Sequence, residues 1–97
     1  MKSAKFGNYL KQIREKKKIP QRKVASRLDI DTSTLSKMEL GERQITISMI
    51  EGLADALGLD FKNLQIKYIS EKILHDFNNQ PFIKDALQET LKQLNAK

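Results

Sequence analysis

Cysteine and tryptophan are absent from this chain of 97 residues, histidine occurs once, and proline occurs only twice. Without cysteine there is no disulfide framework, zinc finger or iron–sulfur site, and one histidine cannot build a histidine metal cluster. No metal and no cofactor are therefore expected. No run approaches 18 apolar residues, and the opening Met1-Lys2-Ser3-Ala4-Lys5 leads into no apolar segment. Neither a membrane span nor a secretory signal is expected, which makes the cytoplasm the expected location. The length suits one domain with an appendage and leaves little room for a deep substrate cleft or a small-molecule pocket. At 39% hydrophobic and 31% charged residues, the chain is apolar enough to fold.

Charge is present in excess of one sign, and unevenly. The net charge is +6, yet residues 1–43 balance to +7 and residues 44–97 to −1. This asymmetry points to a region that faces a polyanion, joined to a nearly neutral region with another task.

Apolar residues recur at helical spacing, nothing alternates with period two over a useful length, and the fold expected is all-α. Phe6, Leu10 and Ile13 mark a first helix from about Lys5 to Lys17, with Lys16, Lys17 and Lys18 at the end where cations complement the helix dipole. Pro20 breaks the chain, and a second helix spans about Gln21 to Leu28 with Val24, Ala25 and Leu28 inward. Asp31 is an N-cap for a third helix, Thr32 to about Leu40, in which Leu35 and Met38 are apolar and after which Gly41 is the stop. Thr46 is expected to cap a fourth helix carrying Ile47, Ile50, Leu53, Ala54 and Leu57, ended by Gly58. A short turn of helix at Phe61 to Leu64 would close a five-helix bundle. Beyond it, Ile66, Ile69, Ile73 and Phe77 form one stripe, Asn78-Asn79-Gln80-Pro81 interrupts, and Ile83, Leu87, Leu91 and Leu94 form another. The outcome expected is a C-terminal helical hairpin that buries one face against the bundle or against another copy.

The informative segment is Gln21 to Arg43, in which two short helices are separated only by Asp29-Ile30-Asp31. That is the spacing of a helix-turn-helix, whose second helix enters the DNA major groove. From about Phe6 to Leu64 the sequence resembles the lambda-repressor/Cro-like, or XRE-type, helix-turn-helix family of transcriptional regulators. The resemblance rests on Ile13-Arg14-Glu15, Val24-Ala25, Leu28 and Ile30, on Thr34-Leu35-Ser36-Lys37-Met38-Glu39 with Gly41, and on Leu53-Ala54 and Ala56-Leu57-Gly58.

The resemblance implies roles for particular residues. Thr32, Ser33, Ser36 and Lys37 fall at positions that meet base edges; a lysine can reach guanine O6 and N7, and small hydroxyls suit either base type. Gln21, Arg22, Lys23 and Arg43 fall at or beside positions that meet phosphates, with Arg27 as a further flanking cation. Arg14 and Glu39 match an ion pair that joins the first helix to the end of the third. Two positions depart from the family pattern: Pro20 replaces the usual Ser or Thr cap of the second helix, and apolar Leu40 replaces a usually polar residue.

These readings divide the chain into a DNA-binding domain, residues 1–65, and a dimerisation or interaction segment, residues 66–97. Ile66, Ile69, Ile73, Phe77, Ile83, Leu87, Leu91 and Leu94 are its expected dimer interface. The expected partners are double-stranded DNA and a second copy, and the expected function is a regulator, most simply a repressor, on an inverted-repeat operator. Two rivals share these residues: an antitoxin-type autoregulator whose C-terminal helices bind a partner protein, and a restriction–modification controller. No constellation of acid, base and nucleophile supports an enzyme, and His75 is expected to be an ordinary surface or interface residue.

Overall fold

A computed structural model describes residues 5–97 of the chain, so the opening Met1–Ala4 lies outside the described residues. Six α-helices follow in order: α1 (Lys5–Lys16), α2 (Gln21–Leu28), α3 (Thr32–Glu39), α4 (Ile50–Leu57), α5 (Phe61–Phe77) and α6 (Ile83–Asn95), with a 3-10 turn, Ile47–Met49, leading into α4. Among the described residues there is no strand, in agreement with the all-α reading. No helix among them is long and apolar enough to cross a membrane.

The first four helices stop in the same way, by a left-handed residue just past the end whose successor bonds back five residues. The Glu42 N–H donates to the Lys37 carbonyl at 2.8 Å and the Leu59 N–H to the Ala54 carbonyl at 2.8 Å, with Gly41 and Gly58 at positive φ. Lys18 and Asp29 fill the same position after α1 and α2 with φ of 58° and 57°, a conformation that glycine adopts without the Cβ clash.

α4 lies at the centre. Ile50, Leu53, Ala54 and Leu57 are all buried, and Val24 and Ala25 from α2, Leu35 and Met38 from α3, Phe6 and Leu10 from α1, and Leu64 from α5 close around them. Each fully buried aliphatic side chain contributes about 1.5–3 kcal/mol of transfer free energy. Gly7 permits the close approach of α1 to the end of α3: a Cβ there would press on the carbonyl oxygens of Met38 and Glu39, 2.9 Å from the latter.

The structure differs from the sequence expectation at two places. Thr46 is extended and makes no side-chain cap; its hydroxyl lies 3.0 Å from the Ser48 hydroxyl, and the chain enters α4 through the 3-10 turn. The expected turn at Phe61–Leu64 and the helix bearing Ile66 are one continuous helix, α5, since no glycine or proline interrupts residues 61–77. The expected division after residue 65 therefore falls inside a helix. Beyond it, Tyr68 still belongs to the core, edge-on to Phe6 at 5.3 Å between ring centroids and donating to the Ile45 carbonyl at 2.6 Å.

Past Tyr68, α5 runs beside the segment that joins α3 to α4, with Glu71 and Ile73 half-buried, and α6 has no buried residue. α6 does not fold back to cover the bundle.

Two substitutions test this account of the backbone. Gly7→Ala lowers stability by about 2–3 kcal/mol through overpacking against a backbone that cannot retreat, and Lys18→Gly raises it by about 0.5–1 kcal/mol by relieving the left-handed strain. Both are read from the midpoints of urea unfolding.

Candidate nucleic-acid interface

The turn between α2 and α3 places the candidate reading helix. Asp29 reverses the chain, Ile30 packs against the core, and the Asp31 carboxylate accepts the Thr34 N–H at 2.7 Å, satisfying one of the open donors at the start of α3. That bond, with a second from the Thr34 side chain, holds the Asp31 carboxyl below its ordinary value, and the nearby charges of Lys37 and Arg43 act in the same direction.

α3 has two faces. Leu35, Met38 and Glu39 are buried, whereas Thr32, Ser33 and Lys37 are exposed and Ser36 is half-buried. The four candidate base contacts therefore share the outward side of one short helix. Leu40, 53% exposed, continues that side one turn further on.

What holds α3 in place is a buried charge cluster. Arg14 Nε donates to Glu39 Oε2 at 2.7 Å and its Nη2 to Oε1 at 3.1 Å, a two-pronged pairing that fixes distance and orientation together. Arg14 Nη1 also reaches the Ile19 carbonyl at 3.0 Å. The side-chain amide of Gln21 donates to Glu39 Oε1 at 3.0 Å, so that α1, α2 and α3 meet at one carboxylate. Gln21, expected at a phosphate, thus directs its amide to Glu39; what it offers outward is the backbone N–H of the first turn of α2, which has no acceptor within the helix.

Arg22 and Lys23 stand exposed on that same first turn, and Arg43 is exposed in the loop after α3. Other cations are turned to structural use. Lys17 Nζ reaches the Leu57 carbonyl at 2.6 Å and that of Gly58 at 3.2 Å, capping the negative end of α4. Arg27 pairs with Asp55 at 2.8 Å, and Lys67 lies over the Tyr9 ring at 4.4 Å. Sequence reasoning missed these three partnerships; for Lys17 the only signal was its place at a helix end, which does not say which helix it caps. The expected interface residues Ile66, Ile69, Phe77, Leu87, Leu91 and Leu94 are exposed, while Ile73 and Ile83 are half-buried. His75 is exposed beside Asp76. Among the described residues no group of three or more acidic, histidine or cysteine side chains could hold a metal.

A family model described as helix-turn-helix matches residues 10–64, from the middle of α1 to the first turn of α5. The control protein C.MunI of a Mycoplasma species is 33% identical over 61 residues, which span 62% of this chain and 82% of that protein. No solved structure matches the chain significantly.

Breaking the buried pair from one side is expected to be severe. Glu39→Ala strands the Arg14 guanidinium and lowers stability by about 3–5 kcal/mol, while the double variant Arg14→Met/Glu39→Leu, which removes both charges, loses less than either single variant. The acid side tests Asp31. Its folded pKa lies below the ordinary 3.8, so its stabilising charge is present above that pH and is lost as pH falls through the folded value. Asp31→Asn keeps a cap acceptor without the titration, and its melting temperature therefore falls less steeply below pH 4 than that of the unmodified chain.

Proposed function

This chain belongs to the helix-turn-helix family of DNA-binding transcriptional regulators, which is not an enzyme family, and from that premise we propose that it acts as a homodimer on an inverted-repeat operator, as a repressor. The observation that carries the reading is the outward face of α3, with Thr32, Ser33 and Lys37 exposed on a helix clamped by a buried ion pair. Residues 1–65 serve as the DNA-binding head, which keeps Tyr68 of the following segment in its core, and residues 66–97 serve for assembly.

In this reading Thr32, Ser33, Ser36 and Lys37 meet base edges, with Lys37 the side chain long enough for guanine O6 and N7. Arg22, Lys23 and Arg43, together with the N-terminal turn of α2 at Gln21, meet the phosphates on either side and set the register. Two copies present their α3 helices about 34 Å apart, in successive major grooves on one side of the duplex. Such a regulator works in the cytoplasm and needs no cofactor. A second reading, a controller of a restriction–modification system, is favoured by the likeness to a control protein. It uses the same residues in the same way, and the genes beside the operator separate the two.

Selection of bound sequences from a random DNA pool supplies the operator on which the reading is tested. Lys37→Ala weakens binding to that sequence tenfold or more, within the roughly 1–3 kcal/mol of a good base contact, and leaves the melting temperature unchanged; an unchanged affinity removes Lys37 from the site. Arg22→Ala, Lys23→Ala and Arg43→Ala each lower the slope of log affinity against log salt by about one unit, for selected and unrelated DNA alike.

A further inference from the structure

α6 is amphipathic, yet its stripe of Leu87, Leu91 and Leu94 is 43%, 58% and 56% exposed, and its own chain buries none of its residues. Two apolar clefts adjoin the hairpin. One, of about 530 Å³, lies between the 3-10 turn and α5 and is lined by Ile47, Ile69, Ile73 and Phe77, with Lys72 and Asp76 also in its wall. The other, of about 600 Å³, lies in the fork of the hairpin and includes Phe82, Ile83 and Leu87. Both clefts share Ile73 and Phe77, so together they make one trough from the head to the tip of the hairpin. No residue of the chain's own α6 lines the end at Ile47.

We propose that α6 of a second copy lies in this trough, so that two chains exchange their last helices. The proposal rests on the homodimer reading and adds Ile47, a residue of the head that the expected interface omits.

Charge favours the tail as the meeting place. Two heads of +5 repel one another, whereas residues 66–97 carry five basic and four acidic side chains, and the trough offers one cation and one anion, Lys72 and Asp76. The area is also sufficient. Nine large apolar side chains, Ile47 and eight beyond residue 65, are 41–73% exposed. At on the order of 80 Å² each they offer roughly 700 Å² per chain, close to the ~800 Å² per partner of a stable interface. A partner helix seated against Ile47 would rest on the segment that joins α3 to α4, and dimerisation would then set the placement of the reading helix as well as the copy number.

Because the chain has no cysteine, engineered thiols report this contact directly. An Ile47→Cys chain is mixed with a tagged Leu91→Cys chain and oxidised gently, and Ile47→Glu is followed by sedimentation equilibrium with circular dichroism as the check on folding. The exchange predicts a mixed disulfide between the two differently marked chains, and a dimer dissociation constant raised at least tenfold in Ile47→Glu with its helical signal intact. A stable dimer that gives neither result overturns the exchange and leaves the homodimer reading standing. A monomer at tens of micromolar overturns both. A monomeric Ile47→Cys/Leu91→Cys double variant that closes a disulfide within one chain places α6 on its own trough and likewise overturns the exchange.

Discussion

The carboxylate of Glu39 accepts from the Arg14 guanidinium and from the Gln21 amide, and through it three helices are tied at one buried point. Without that tie α3 would be an eight-residue helix, shorter than the length at which an isolated helix is stable in water. Its orientation comes from Leu35 and Met38 in the core on one side and from Glu39 on the other. A buried ion pair adds little net stability relative to apolar side chains of the same shape, but it sets geometry. In this fold the geometry matters because the opposite face of the same helix carries Thr32, Ser33 and Lys37. The approach of α1 that brings Arg14 to Glu39 in turn requires Gly7, where a side chain would meet the end of α3.

Much of this was legible from residue order alone. Apolar spacing located α1 to α4, Asp31 and Gly41 marked the two ends of α3, and the three-residue turn identified the helix pair. Other features were not legible, for physical reasons. The hydroxyl of Thr46 is drawn to Ser48, a competition between two side chains that a capping rule does not weigh. α5 carries two apolar faces, Leu64 and Tyr68 toward the core and Ile66, Ile69, Ile73 and Phe77 away from it, and this double pattern reads as two separate elements. Gln21 has the polarity of a phosphate ligand, but its reach to Glu39 depends on how α2 crosses α3, and that is a tertiary fact.

The division of charge gains a structural meaning. Several cations of the basic half serve the fold, Lys17 at the end of α4, Arg27 at Asp55 and Arg14 at Glu39, so the charge offered to a polyanion is smaller than the count suggests. Of the remainder, Arg22, Lys23, Lys37 and Arg43 lie on the first turn of α2, on α3 and in the loop just past α3. The neutral half separates in the same manner: α4 and the first turns of α5 complete the head, while the rest of α5 and all of α6 leave apolar surface in water, the surface that the proposed dimer uses.

The central claim is that the outward face of α3 and the first turn of α2 together read DNA. Amide chemical shifts of the ¹⁵N-labelled chain, followed as selected operator DNA is added, test it most directly. The account predicts that the largest changes fall at Gln21–Lys23, Thr32–Lys37 and Arg43, with the amides of α6 little changed at constant dimer population. Changes concentrated in α5 and α6, with α3 silent, would contradict it.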